Sequence, residues 1–369
     1  MRVLLVYDHL DVGGAQTHGL GLSRQLMRAG HAVAVASRGG GLAGRFAEND
    51  VTVLDWPAPR RSQIIRLSDS IRRAGKVLRA WSPDLIHAHA VLPGVLFSVA
   101  ARRRVPIVFT PHRSWRSMYL GADGALLSWM MYQVLRQRAD HVIAVSEGYE
   151  RELIRHGLRR ERCTLARVGV DVGAFDAVPS LSDDSARSVG TIGRLIAQKG
   201  VDVLVAAAAQ VARVAPNVRF LIVGDGPLRD DCIRWIESHG LRHRVTLLGE
   251  RTDVPALLSQ MSVFVSASRW EGMPAAVLEA LAARRPVVAT RVLGSSELIE
   301  DGVTGLLVPP DDPAAMSAAI LRLLNDPALA RSLGEAGRQV VESRYSLKVM
   351  AEQVMDVYRQ VVTRHVDRT

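Results

Sequence analysis

Two glutamates eight positions apart, Glu271 and Glu279, frame the segment EGMPAAVLE. Pro274 suits the first position of a helix, where its missing N–H costs nothing, so a helix is expected to begin there. The backbone amides from Gly272 through Met273 to Ala275 would then project as hydrogen-bond donors. Glu271 lies just before that helix and can accept from sugar hydroxyls. Glu279 lies five residues in, roughly 7.5 Å further along the axis at the helical rise per residue. That separation fits one carboxylate on a sugar and the other on the ribose of the same nucleotide sugar. Two helix-surface glutamates are the plainer alternative, which the apolar surroundings of Ala275, Ala276, Val277, Leu278, Ala280 and Leu281 disfavour.

Arg194 and Lys199 flank a loop, GRLIAQKG, that leads from a strand end into a helix. A planar guanidinium fork and a compact ammonium in that place can hold a diphosphate between them; solvated surface charges are the alternative. Gly13 and Gly14 open a helix directly after the first strand. Glycine there lets a phosphate or sugar approach the backbone, and a helix N-terminus favours negative charge. The full G-x-G-x-x-G pattern is absent, which disfavours a dinucleotide site. No D-x-D motif and no clustered His/Cys ligand set occur, so neither a metal site nor a cofactor is expected. If a diphosphate leaves, cations and helix ends must stabilise it in place of Mg²⁺ or Mn²⁺.

The elements that must place these groups follow one grammar used twice. In the first half an apolar run at 3–7 precedes the glycine pair, a helical pattern through Leu20, Leu22, Leu26 and Met27 runs to Gly30, and a second strand follows at 33–36. In the second half a strand at 189–193, a loop, a helix at 201–214 and a strand at 218–223 repeat the order. Further strands are expected at 84–87, 107–110 and 141–145, and at 245–248, 263–266 and 286–290. Continuously apolar strands alternating with helices indicate parallel α/β sheets. The repeated opening indicates two doubly wound, Rossmann-like domains, 1–172 and 189–346, joined by a polar linker at 173–188. Ligands in such sheets bind beyond the carboxyl ends of the strands, where the glycines and polar residues gather, so a cleft between two facing domains is expected. A final helix from residue 347, read to 362 by its packing face of Met350, Val354, Val357, Tyr358 and Val361 and extended to 366, is expected to return to the first domain.

The chain of 369 residues is 48% hydrophobic and 23% charged, a globular balance suited to two cores. Its net charge of +10 is lopsided: residues 1–180 hold 25 basic and 15 acidic side chains, and the remainder holds 22 of each. An anionic partner for the first lobe follows from that asymmetry. Cys163 and Cys232 are too few for a disulfide framework and read as buried thiols. The opening residues reach Asp8 too soon for a signal peptide, and no uncharged apolar run attains the ~20 residues of a membrane span. A cytoplasmic protein is expected.

These residues carry a family resemblance. The segment from Glu271 to Glu279 resembles the E-x7-E motif of retaining glycosyltransferases of family 4, which have the GT-B fold. The resemblance covers almost the entire chain: GGAQTHGLGLSRQLMRAGHAVAV at the start, DLIHAHA at 84–90, TPHR at 110–113, AVSE at 144–147, VGVD at 168–171, GRLIAQKG at 193–200 and VGDGP at 223–227. LGERTDVPALL at 248–258 and PVVATRVLGSSELIEDGVTGLLVPPDD at 286–312 complete it. The combination is specific for the family and weak for its substrate.

The resemblance implies that Gly14 approaches the donor phosphate, that Arg194 and Lys199 neutralise the leaving diphosphate, and that Glu279 holds the ribose hydroxyls. It implies further that Glu271, with the amides of Gly272 to Ala275, holds the transferred sugar. Arg251 would contact the base, and His112 would stand beside the reacting sugar in a hydrogen-bonding and electrostatic role. Retention in this fold is attributed to same-face attack, with the leaving phosphate taking the acceptor proton. Gln16 departs from the glutamate carried by many members, which bears on an acceptor contact. The implied reaction moves a sugar from a UDP- or GDP-linked donor to a glycan or lipid-linked acceptor, in polysaccharide, lipopolysaccharide or glycolipid synthesis. A nucleotide-sugar epimerase and a non-catalytic carbohydrate-binding subunit on the same fold are the alternatives.

The basic excess falls in three clusters: Arg60, Arg61, Arg66, Arg72, Arg73, Lys76 and Arg79; Arg102 to Arg104; and Arg113, Arg116, Arg136 and Arg138. Next to the last, Trp115, Tyr119 and Trp129 crowd with methionines and arginines. Basic and aromatic amphipathic segments can lie on an anionic membrane interface, so Trp115, Arg116, Tyr119 and Trp129 are candidates for acceptor or membrane contact on the inner face of the cytoplasmic membrane. Core aromatics under a solvated arginine face are the alternative. Nucleic acid is not expected, because no zinc module, recognition helix or RNA-binding aromatic motif is present.

Overall fold

The protein is described by a computed structural model that covers residues 1–11, 13–57, 67–112, 133–134, 136–181 and 187–367. The chain divides into two compact units: Met1–Gly169 together with Leu347–Thr369, and Val170–Ser346.

In the first unit, β1 (Arg2–Val6), β2 (Ala32–Ser37), β3 (Thr52–Asp55), β4 (Leu85–Ala88), β5 (Ile107–Phe109), β6 (His141–Ala144) and β7 (Cys163–Leu165) form one sheet in the order 3-2-1-4-5-6-7. Its pairings are parallel; Val3 stands opposite both Val33 and Leu85. The central strands are apolar along their length because helices cover both faces. The helix Gly14–Arg28 buries Leu20, Leu22 and Leu26 on one face, beside Met350, Val354, Val357, Tyr358 and Val361 of the last helix, Leu347–Val366. That last helix belongs to the first unit. On the opposite face Leu67–Trp81 packs with Val91–Ala101, and Leu67, Ile71 and Leu78 lie against the core formed by Ile86, Leu96 and Phe97. Gly19 allows the first helix to sit this close: a Cβ there would fall 1.8 Å from the Tyr7 hydroxyl.

In the second unit, β8 (Ser188–Ile192), β9 (Arg219–Val223), β10 (Val245–Gly249), β11 (Val263–Ser266), β12 (Val287–Thr290) and β13 (Leu306–Val308) run parallel in the order 10-9-8-11-12-13. Counted within the unit, this is the 3-2-1-4-5-6 order of a doubly wound sheet. Val201–Val214 packs with Pro313–Asn325, and Ala275–Ala282 packs with Pro327–Arg344.

Three strands had no counterpart in the sequence reading. β3, β7 and β13 are three or four residues long and lie at or beside sheet edges, and β3 is largely exposed, too short for periodicity to register. The segment 173–188, expected as a linker, is more than that in its described part. Val172–Phe175 is a 3-10 turn with Phe175 and Val178 buried, and Ser188 already begins β8. Buried Arg338 donates to the Val172 carbonyl at 3.4 Å and pairs with Asp176 at 2.5 Å, and Arg285 reaches the Pro179 carbonyl. A polar composition hid this attachment because two buried arginines, distant in sequence, receive it.

Among the described residues no helix is long and apolar enough to cross a membrane. Both cysteines are free and buried; burial pushes the Cys163 thiol up to about 12 and Cys232 to about 11, which leaves them unreactive.

Candidate functional site

Both sheets reverse their strand order at one point, between β1 and β4 and between β8 and β11. The loops beyond the carboxyl ends of those four strands are where an open parallel sheet leaves room for a ligand. In each unit the chemistry-bearing residues collect there.

In the second unit the loop after β8 contains a 3-10 turn, Ala197–Lys199, closed by Gly200 at φ +60°. A Cβ at Gly200 would lie 2.1 Å from the Ala267 carbonyl oxygen, so only glycine lets this turn meet the end of β11. Arg269 clamps the two loops. Its guanidinium is bidentate to Asp202 at 3.0 and 2.6 Å, donates to the Ala197 carbonyl at 2.7 Å, and pairs with Asp311 at 2.7 Å. Its amide donates to the Gln198 carbonyl at 2.8 Å. The clamp brings Lys199 Nζ to 2.5 Å from Glu271 Oε1. Glu271 also accepts from Ser268 Oγ at 2.8 Å and from Gln198 Nε2 at 3.4 Å.

Glu271, expected as an acceptor for a sugar, is in this structure also the counterion of Lys199. A pocket beside the pair is lined by Gly193, Lys199, Ser266, Ser268, Pro274 and Ala276, among others. Pro274 is displaced from its expected position. It is the cap residue, at ψ 97°, and the helix runs Ala275–Ala282. The Pro274 carbonyl accepts from Val277 and Leu278, which leaves the amides of Gly272, Met273, Ala275 and Ala276 without a backbone acceptor among the described residues. The Glu279 side chain, within this helix, makes no hydrogen bond or ion pair with a described residue, and desolvation pushes its carboxyl up to about 7. Arg194 is exposed and has no acidic partner among the described residues. Arg251 is held by a bidentate pair with Asp253, at 2.8 and 2.6 Å, within its own loop.

In the first unit Gly13, extended at φ −175°, caps the helix that begins at Gly14. A Cβ at Gly14 would meet nothing within 4 Å, so the backbone there is open to a ligand. Gln16 is buried; its amide donates to the His9 carbonyl at 3.3 Å. Behind these residues lies a group that the sequence reading missed. His18 comes from the first helix, His89 from the end of β4 and His112 from the segment after β5, and one ring nitrogen from each lies within 4.8 Å of the others. His89 Nδ1 and His112 Nε2 share a hydrogen bond of 3.0 Å. Tyr7 stacks on His89 at 4.6 Å. His87, alongside, spends both nitrogens, on the Tyr358 hydroxyl at 2.6 Å and on Thr110 Oγ1 at 2.7 Å. Desolvation lowers His18 to about 4 and holds His87, His89 and His112 well below the usual imidazole range, with mutual repulsion adding for the last three. The rings are neutral at pH 7. No clustered ligand set is visible in the sequence because these positions meet only through the strand order; the histidines of DLIHAHA and TPHR at successive strand ends were the available signal. Trp115, Arg116, Tyr119 and Trp129 lie outside the described residues, as do Arg60, Arg61, Arg66 and Arg113.

Comparison with known proteins places these arrangements in a family. The profile described as Glycosyltransferase Family 4 matches residues 12–173, and that described as Glycosyl transferases group 1 matches residues 186–326. The chain is 30% identical to alpha-maltose-1-phosphate synthase of Mycolicibacterium smegmatis, across 85% of this chain and 91% of that protein. It is 38% identical to alpha-D-kanosaminyltransferase of Streptomyces kanamyceticus over a shorter stretch, 46% of this chain and 45% of that one. Among solved structures, Anabaena HepE in complex with UDP and glucose superposes with a TM-score of 0.85 at 22% identity, covering 97% of this chain and 99% of that one. The chain belongs to glycosyltransferase family 4 and is a glycosyltransferase of the GT-B fold.

Proposed function

We propose that the protein is a retaining glycosyltransferase that moves a sugar from a UDP- or GDP-linked donor to a glycan or lipid-linked acceptor, without a metal ion. The observation that carries this reading is the Lys199–Glu271 pair beside open amides and an unpaired Glu279. In it, Lys199 and Arg194 receive the diphosphate, Glu279 receives the ribose, and Glu271 with the amides of Gly272, Met273 and Ala275 receives the sugar. Pro274 caps the helix that presents them, and Arg251 lies towards the base. In the first unit Gly13 and Gly14 offer backbone to the donor, and His112 stands beside the reacting sugar. Two cations give the leaving diphosphate the charge stabilisation that Mg²⁺ supplies elsewhere. A diphosphate-bound Lys199 must loosen its hold on Glu271, which frees that carboxylate for a sugar hydroxyl; donor binding and the readiness of Glu271 are thereby coupled.

The names of the relatives support a glycan or small-glycoside product: alpha-maltose-1-phosphate synthase and alpha-D-kanosaminyltransferase. HepE in complex with UDP-glucose supports a uridine donor ahead of a guanosine one. The charge excess of residues 1–180 supports a cytoplasmic enzyme peripheral to the inner membrane face, with Trp115, Arg116, Tyr119 and Trp129 in contact with acceptor or lipid. Flotation with anionic liposomes at two salt concentrations tests that part; no binding at low salt rejects it. A panel of nucleotide sugars tests the chemistry: thermal shift identifies the donor, and release of UDP or GDP in the presence of acceptor identifies transfer. Sugar epimerisation without nucleotide release would replace this reading with an epimerase.

A further inference from the structure

Of the imidazoles grouped in the first unit, the proposed transfer uses His112 and leaves His18 and His89 without a role. His18 is 4% exposed, and both its ring nitrogens are buried without a hydrogen-bond partner among the described residues; Nε2 of His89, also 4% exposed, is in the same state. A buried polar atom without a partner is costly, and one ring nitrogen of His18 lies within 4.8 Å of a ring nitrogen on each of His89 and His112, so the group can offer imidazole lone pairs to a single Lewis acid. We propose that His18, His89 and His112 form a binding site for a zinc-class divalent ion, and that occupancy of this site inhibits the enzyme.

The ligand set selects the ion. Three imidazoles with no carboxylate among them suit Zn²⁺, Ni²⁺ or Cu²⁺ and do not suit Mg²⁺, Ca²⁺ or Mn²⁺, which take oxygen. Imidazole nitrogens about a tetrahedral zinc at the usual Zn–N length stand roughly 3.3 Å apart. His89 Nδ1 and His112 Nε2, at 3.0 Å, are already near that spacing; ion binding replaces the hydrogen bond between them, the shared proton moving to the other nitrogen of its ring, and rotation of the His18 ring closes the third side from within 4.8 Å. His18 and His112 approach each other T-shaped, with ring centroids 5.0 Å apart and planes at 67°. Tyr7, stacked on His89 at an interplanar angle of 3°, fixes that ring, and His87 is excluded as a ligand because both its nitrogens are bonded. Three protein ligands leave one position open for water. The binding half of the proposal stands on the histidines alone. The inhibitory half rests on the proposed function, since the ion takes the ring nitrogen of the residue assigned beside the reacting sugar.

Isothermal titration of the chelator-treated full chain with ZnCl₂ tests the first half. One ion per chain at micromolar affinity is expected. His18→Gln and His89→Gln should each weaken it by about 100-fold, while His239→Gln, an exposed histidine of the other unit, should leave it unchanged. Absence of stoichiometric binding, or binding that survives His18→Gln and His89→Gln, overturns the site. Should those variants fail to fold, the visible spectrum of the wild-type Co²⁺ form decides: intense tetrahedral bands are expected, and the weak octahedral spectrum of the aqueous ion rejects the site. Added Zn²⁺ should then inhibit transfer with the midpoint of the binding curve. Binding without inhibition keeps the site and overturns its link to His112, and a protein that binds zinc but transfers no sugar from any donor points to failure of the proposed function instead.

Discussion

Lys199 Nζ sits 2.5 Å from Glu271 Oε1, across 72 residues of sequence, and the Glu271 side chain is 7% exposed against 27% for Lys199. The pair closes the gap between the two loops at the switch point of the second sheet. It therefore serves the fold and, in the proposed function, the donor.

Lys199 and Arg194, the two cations proposed for the diphosphate, should separate by stability. Lys199→Ala strands a buried carboxylate that, among the described residues, keeps Ser268 and Gln198 alone, so the melting temperature should fall along with turnover. Arg194 is exposed and has no acidic partner among the described residues, so Arg194→Ala should leave the melting temperature unchanged. Each should lower kcat by roughly 10²-fold or more, the typical loss of one charge stabiliser. Activity within tenfold of wild type in both variants would contradict the assignment of these cations.

Glu279 should reveal itself in the pH dependence of stability. Its native value, raised from 4.5 to about 7 by desolvation, means the folded state retains a proton that the unfolded chain has released. Stability contributed by this group therefore falls as pH rises from 4.5 to 7 and levels off above that. The full loss is at most about 3 kcal/mol for a shift of this size. Glu279→Gln removes the desolvated charge, so its melting temperature should exceed wild type at about pH 8 and converge with it at about pH 4, below both values. Parallel curves would show that the carboxyl is not held protonated.

Gly200→Ala should be harmful on two counts. The residue needs a left-handed backbone, and its new Cβ would press on the Ala267 carbonyl. A loss of about 1–3 kcal/mol is expected, with kcat lowered as well because Lys199 precedes it. Urea unfolding and steady-state kinetics on one preparation measure both, and an unaffected kcat would show that the turn does not position Lys199.

Chelation should leave turnover intact. With cations carrying the diphosphate, excess EDTA is expected to cost no activity; a loss restored by Mg²⁺ or Mn²⁺ would contradict a metal-independent transfer.

What could be read from the sequence differs between elements for physical reasons. The helices Val201–Val214 and Leu347–Val366 and the central strands have strong apolar patterns, because both sheet faces and the last helix are buried in their unit cores. The site residues stand out where local chemistry is dense: a proline-capped turn between glutamates, and a loop with two cations. Their pairing does not stand out. Lys199 meets Glu271, and His18 meets His89 and His112, only because the strand order 10-9-8-11 and 3-2-1-4-5 sets distant strand ends side by side. Pro274 was displaced to the cap by its own extended backbone, a boundary that residue preference alone does not determine.

The central claim, transfer with retention from a nucleotide sugar, is tested most directly by the configuration of the product. Once the donor panel has identified the sugar nucleotide, NMR of the anomeric proton in the first product formed reads the outcome before any mutarotation. An α-linked donor should give an α-linked product with one nucleoside diphosphate released per transfer. A β-linked product, or an altered sugar still attached to its nucleotide, would contradict the account.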